Sequence, residues 1–241
     1  MLTKTRAVVL RTTKYGEAQL IVDLFTESHG RLSFFQHVAK TGRARVHRQL
    51  FLPLAVLDVE FDYRQRANLQ RLKNAVPSFP LASVPFEPMK TVVALFLADF
   101  VSHVTLAEQQ NQPLFLFMEN SLRWLDACTG SCANFHLVFM MRITRFIGFF
   151  PNLDDEGTGS YFDLRQGCFT AHIPMHTDFL KPDEAGKIRL LMRMNYETMH
   201  LFAINRSQRN RCLEIIMHYY QLHVPDFPEL RSLQVLREVL A

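Results

Sequence analysis

The sequence predicts a two-domain protein: an all-β barrel over residues 1–80, then an α-helical domain over residues 81–241 with an irregular insert at about 151–179. Three observations carry this. Residues 1–80 break into short β-branched, Leu- and Phe-rich runs separated by turn residues. Beyond about residue 90 the apolar period changes from two to helical. Between them lies Ala75–Pro88, with Pro77, Pro80, Pro85 and Pro88. Proline has no N–H to give a ladder or a helix interior, so this stretch marks a boundary near residue 80. Charge changes sign there too. Residues 1–80 hold 13 Lys+Arg against 6 Asp+Glu, and residues 81–241 hold 14 against 17.

The predicted strands are Lys4–Thr13, Glu17–Thr26, Arg31–Ala39, Gln49–Phe61 and roughly Arg64–Lys73. Gly16 and Gly30 sit between runs, where a turn often needs positive φ. Ala18, Leu20, Val22 and Leu24 alternate with Gln19 and Asp23, and Leu32, Phe34 and Val38 alternate with Arg31, Ser33, Phe35 and His37. Five short strands in this length suit a small closed barrel of the OB-fold type.

The helical region opens with Val93, Phe96, Leu97, Phe100, Val101 and Val104 on one stripe. Leu114, Phe117, Met118, Leu122 and Leu125 make a second, begun by Pro113 at a first-turn position. Phe135, Val138, Phe139 and Phe146 make a third. Residues 182–203 and 209–222 read as two more helices. Ser232 is placed to cap a short last one carrying Leu233, Leu236 and Leu240. Within the Gly-, Asp- and Pro-rich stretch Pro151–Phe179, Tyr161–Leu164 and Gly167–Phe169 read as a small hairpin.

Four cysteines without a paired framework read as reduced cytosolic thiols, and no secretory leader or membrane span is expected. No phosphate-binding loop, dinucleotide fingerprint, GxSxG elbow or HExxH is present, so no catalytic residue is assigned and no enzyme is expected. Cys168, His172 and His176 have spacings a metal can use. Pro174 argues against presenting both histidines on one helix face, and three ligands leave a structural zinc site open.

The basic excess is concentrated. Lys40, Arg43, Arg45 and Arg48, with His37 and His47, surround Gly42 in a segment without acids, a pattern that can follow a phosphate backbone. Arg31, Phe35 and His37 share one strand face by alternation, and an aromatic beside cations both stacks bases and neutralises phosphates. Phe35 is equally placed to be a core residue. Arg11, Lys14, Arg64 and Arg66 extend the candidate DNA-binding set, with Arg71 and Lys73 along the same basic strip. An RNA-binding OB module fits these charges as well. Arg142 falls on the apolar stripe of its helix. It either pairs with a buried acid such as Asp99 or Glu119, or borders a pocket facing an anionic partner.

Several segments resemble the bacterial RecO recombination mediators. They are Thr5–Thr12, Tyr15–Ala18, Leu24–Thr26, Gly30–Ser33, the basic segment His37–Arg48, Phe51–Glu60, Gly148–Phe149 with Pro151, Tyr219–His223 and Leu233–Leu240. The resemblance covers nearly the whole chain in order, and the Tyr161–Phe169 insert resembles a Bacteroides-like branch. It implies an N-terminal OB domain and a helical domain. It also implies binding to single- and double-stranded DNA, strand annealing, and partnership with RecR and the single-strand-binding protein. Loading of RecA and a cytoplasmic, nucleoid-associated location follow from the same resemblance. Many members carry a four-cysteine zinc site after the third helix. Residues 152–179 hold only Cys168, so the family zinc site is expected to be lost, no cofactor is expected, and Tyr161, Phe162 and Phe169 are expected to hold the hairpin by packing. The resemblance further implies recognition of the acidic, apolar-ended tail of the single-strand-binding protein, for which Arg142 and Arg145 beside Phe139, Phe146 and Phe149 are the expected patch.

Overall fold

The computed structural model describes residues 2–16, 18–37, 48–106, 109–154 and 160–240. The chain forms two compact units, Met1–Ala127 with Leu230–Val239, and Cys128–Glu229 with Leu240–Ala241.

The first unit is built on five antiparallel strands, β1 (Leu2–Lys14), β2 (Gln19–Thr26), β3 (Gly30–His37), β4 (Val56–Asp62) and β5 (Leu72–Pro77), in the order β3-β2-β1-β4-β5. One face carries the core: Ala7, Val9, Leu20, Val22, Leu24, Phe34, Leu57, Val59, Phe61 and Ala75 are all buried together. The alternation expected of β2 and β3 is therefore present, and Phe34 rather than Phe35 is the core residue. The sheet is OB-like, but among the described residues no continuous ladder closes it. Its edges meet at one parallel bridge, Phe34 to Gln70, where Phe35 N–H donates to the Gln70 carbonyl (2.9 Å) and Gln70 N–H to Ser33 (2.8 Å).

A bulge between Val9 and Arg11 re-phases β1. Ala7 and Val9 face the core before it. After it, Thr12 and Lys14 pair with the core residues Val22 and Leu20, so Arg11 and Thr13 turn to the outer face. Gly16 (φ 74°) and Gly30 (φ 66°) make the turns. At Gly30 a Cβ would collide with the Gln109 carbonyl oxygen, so only glycine fits.

Two strands depart from the sequence reading. Pro53 and Leu54 (φ 61°) form a turn after a single 3₁₀ turn at Arg48–Leu50, so β4 starts at Val56 instead of Gln49. The buried Gln70 side chain organises residues 64–67 as a loop, which delays β5 to Leu72. Helices α1 (Pro88–Val104) and α2 (Gln112–Ala127) follow, and both pack on β1. Arg6 pins α2. Its guanidinium meets Glu27 at 2.9 Å and the buried Glu119 at 2.5 Å, and lies 5.1 Å from the Phe115 ring. Glu119 also takes Arg123 at 2.8 Å. Asp126 accepts the backbone N–H groups of Ala82, Ser83 and Val84 and so fixes the proline-rich stretch.

The second unit holds α3 (Phe135–Ile147), the strands β6 (Tyr161–Asp163), β7 (Cys168–Thr170) and β8 (Phe179–Leu180), and then α4 (Pro182–Arg193) and α5 (Arg206–His223). Helix α4 stops short of the expected residue 203. The Asn195 side chain accepts the Thr198 N–H at 2.7 Å, a local bond that competes with the helix. Asn205 and Gln208 form a capping box that starts α5. Helix α6 (Ser232–Val239) belongs to the first unit. Ser232 is its first residue rather than a cap, and its hydroxyl donates to Asp99 at 2.6 Å.

Candidate nucleic-acid interface

The cations of the five-stranded sheet fall into two groups. Lys4 pairs with Glu60 and Lys73 with Asp62, each at 2.7 Å, and the Lys73 hydrogen bond pulls the Asp62 carboxyl below its ordinary value. Arg6 is held by Glu27 and Glu119. Arg31, expected at the interface, is instead tied to Asp23 at 3.1 Å and to the Ser102 carbonyl of α1. Asp23 also accepts the Ser33 hydroxyl at 2.6 Å. Arg11, Lys14, Arg48, Arg64, Arg66 and Arg71 are all exposed and make no ion pair among the described residues.

Arg11, Thr13 and Tyr15 share the outer face with Ile21, Phe35 and His37. Thr13 lies opposite Ile21, and Ile21 opposite Phe35. Phe35 is half-buried, and its ring meets that of Tyr15 edge-on, with centroids 5.9 Å apart and an interplanar angle of 76°. The Tyr15 N–H closes the turn by donating to Gln19 at 2.9 Å. His37 is exposed two residues beyond Phe35. Lys14 lies on the core side at the strand end, where it is exposed at the rim.

The loop bearing Arg64 and Arg66 is anchored beside this strand. Gln70, 3% exposed, donates to the Arg64 and Ala67 carbonyls, both at 2.9 Å, and accepts the Arg64 N–H at 3.0 Å. Its backbone holds β3 at Ser33 and Phe35. One buried amide thus places two arginines next to the strand that carries Phe35. Burial holds His103 of α1 below its ordinary value. Asp99 at 3.5 Å opposes this, while Arg11 and Arg31 add to it.

The structure therefore brings Arg11, Phe35, His37, Arg64 and Arg66 toward one region, and assigns Arg31 to structure. Arg48 is exposed on its 3₁₀ turn, and Lys40, Arg43, Arg45 and His47 lie outside the described residues. Tyr15 and Gln70 were missing from the sequence-derived site. Tyr15 had a usable signal, an aromatic directly before a turn glycine. A lone glutamine has none.

In the second unit Phe139 is buried at 1% exposure, which closes it to a ligand. Arg142 donates to the Met194 carbonyl at 3.1 Å rather than to a carboxylate among the described residues. Arg145 is exposed and stacks on Phe150 at 4.5 Å, near the half-buried Phe146. The insert is held by Phe162 against Phe169 (5.0 Å), both buried, with Tyr161 against Phe179. The buried Asp163 adds to this packing by accepting the Arg165 and Gln166 N–H groups and by meeting His176 at 3.2 Å. His172 is exposed, and Cys168 meets Gln166. Among the described residues no three His, Cys, Asp or Glu side chains are grouped to hold a metal ion, and no helix is long and apolar enough to cross a membrane.

This architecture places the chain among proteins that join an OB-like sheet to a helical region. Residues 1–80 match the family model for the recombination protein O N terminal, and residues 86–234 match that for its C terminal. The chain is 48% identical over 241 residues to the DNA repair protein RecO of Phocaeicola vulgatus, covering 100% of both. It is 49% identical over 240 residues to that of Bacteroides fragilis, covering 99% of both. At greater distance, that of Flavobacterium psychrophilum is 29% identical over 240 residues, again 99% of both. The chain belongs to the RecO family of DNA repair proteins.

Proposed function

We propose that this chain binds single- and double-stranded DNA through the outer face of its sheet, anneals complementary strands, and with RecR helps load RecA onto DNA coated by the single-strand-binding protein. The mediator acts by binding, without chemistry of its own, in the cytoplasm at the nucleoid. One observation supports this most: exposed cations without carboxylate partners among the described residues lie on the outer face (Arg11) and in the loop anchored beside β3 (Arg64, Arg66), while Lys4, Arg6, Arg31 and Lys73 are neutralised. Phosphates supply the missing counter-charge. Replacing Arg11, Arg64 and Arg66 together by Ala weakens binding across all sequences. It lowers the salt slope on a single strand by about 0.7 for each phosphate no longer neutralised. An unchanged slope sinks this reading of the face. Strand annealing without ATP, with and without single-strand-binding protein, tests the mediator role. Competition between single-stranded DNA and RNA tests the alternative of an RNA-binding module.

For the acidic tail of the single-strand-binding protein, Arg145 with Phe146 and Phe150 remains the accessible part of the expected patch, and Arg142 supports it from the Met194 carbonyl. A second reading rests on a cavity of about 320 Å³ lined by Leu190, Leu201, Phe202, Ile204 and Cys212, with Lys187 beside it. An apolar end residue fills such a space, and Lys187, which meets Glu184 at 3.4 Å, is the cation at its rim.

We also infer that the protein works without zinc, because Asp163 and His176 are committed to each other and Cys168 is the one cysteine of its loop. Elemental analysis of protein purified without chelator is expected to give far less than one zinc per chain. A stoichiometric zinc that survives dialysis overturns this.

A further inference from the structure

We propose that Tyr15 and Phe35 form a corner that receives one unstacked base and makes this face select single strands over duplex. The inference rests on the nucleic-acid reading above and adds a specificity element to it.

The two rings stand at 76° with centroids 5.9 Å apart. Two walls at nearly a right angle leave one ring face open for stacking and offer the other ring's edge or face to the base perimeter. Ile21, cross-strand from both Thr13 and Phe35, provides an apolar neighbour on the same face. Tyr15 is 57% exposed, so the core gives no account of its presence. The core face is filled by other side chains, including Leu20, Val22 and Phe34. Among the described residues the Tyr15 hydroxyl has no hydrogen-bond partner, which leaves it available to a base edge or a phosphate.

The cations are arranged to hold a strand across this corner. Arg11 lies on the same outer face, His37 follows Phe35 by alternation, and Gln70 fixes the Arg64–Arg66 loop to β3 at Phe35 itself. Base stacking on aromatic rings is tolerant of sequence, because every base has a π-face. In a duplex those faces are covered by neighbouring pairs, so the corner contributes nothing there. The cations act on both forms, and the rings on one.

The test measures equilibrium binding of a labelled oligo-dT strand, an abasic strand of equal length and charge, and a blunt hairpin duplex. The proteins are the full chain, Tyr15→Ala, Tyr15→Phe and Phe35→Leu, each checked for an unchanged melting temperature. Tyr15→Ala is expected to weaken oligo-dT binding about 5- to 150-fold, the range for losing one stacked base. Its affinity for the abasic strand and the duplex stays at wild type, and the salt slope does not move. Tyr15→Phe retains most of the affinity, and Phe35→Leu behaves like Tyr15→Ala. Loss of abasic and duplex binding in parallel with oligo-dT, or no loss on any substrate, overturns the corner while leaving the cationic face standing. If the wild-type chain binds none of the three, the nucleic-acid reading itself fails and the corner with it.

Discussion

Strand β1 carries cations on its outer face at both ends, and the two ends use them differently. Toward its start, Lys4 and Arg6 lie against Glu60, Glu27 and Glu119, and Arg6 bonds the sheet to α2. Beyond the bulge, Arg11 lies opposite Asp23, whose oxygens are already taken by Arg31 and Ser33. The first end is electrostatically closed, and the second is open to a ligand. A count of basic residues does not separate the two, but the partner of each cation does. This is why Arg31, which belongs to the basic excess by sequence, leaves the interface in the structure.

The largest expected effect lies at the closed end. Arg6→Ala strands one side of the buried Glu119 carboxylate, which keeps only Arg123. Stranding a buried charge completely costs about 3–5 kcal/mol, so with one partner retained the loss is expected near 2–3 kcal/mol. Chemical denaturation measures it, and the salt slope of DNA binding is expected to stay at wild type. A change in slope with little change in stability would place Arg6 in the open group and erase the distinction.

Acidification separates the two ends by window. The Arg6 hydrogen bond, against an opposing burial effect, holds Glu27 below its unfolded value of 4.5. Its contribution is present above that value and is lost as pH falls through the lower folded value. His103, beside Arg11, is held by burial below 6.5, so the unfolded chain takes up its proton first and stability falls as pH drops below 6.5. Melting temperature against pH should therefore decline in two steps. His103→Gln should shrink the upper step, and Arg6→Ala should reduce the lower one. The fully buried His136 of the second unit, lowered to about 3 by burial and then by Arg209, adds to the upper decline and remains in the His103 variant. If the upper step is unchanged in that variant, burial of His103 contributes nothing to it.

The smallest effect is expected at Lys4. Its pair with Glu60 is well solvated, with 68% of the lysine side chain exposed, so Lys4→Ala costs at most about 0.2–1 kcal/mol. A loss as large as that of Arg6→Ala would mean that burial of the acid is not what distinguishes the two pairs.

Much of this was legible in the sequence, and the reasons are specific. Alternation in Leu20–Leu24 and Leu32–Phe35 assigned faces correctly, because one face must enter the core. Gly16 and Gly30 marked turns because the backbone there needs positive φ. The limits of β5 and α4 were not legible, because single side chains decide them. Gln70 folds the 64–67 loop, and Asn195 ends the helical run. Among the described residues the sheet is OB-like, and only the single bridge at Gln70 joins its edges, because β5 begins at Leu72. At the candidate site, residue type pointed to Arg11, Phe35, Arg64 and Arg66. It could not reveal that Arg31 commits its charge to Asp23, because that depends on which acid the hairpin places opposite it.

The bulge at Val9–Arg11 also makes register, rather than side-chain identity, the sensitive property of this segment. Flattening it with every residue kept would restore a single phase along β1. Arg11 and Thr13 would then turn toward Val22 and Leu20, while Thr12 and Lys14 would turn outward. Substitutions at Arg11 or Thr13 alter one side chain at a time, whereas loss of the bulge exchanges an entire surface for its opposite. Deleting Leu10 itself would leave Arg11 opposite Asp23 and Thr13 opposite Ile21, so the strand can give up that one residue and keep its faces.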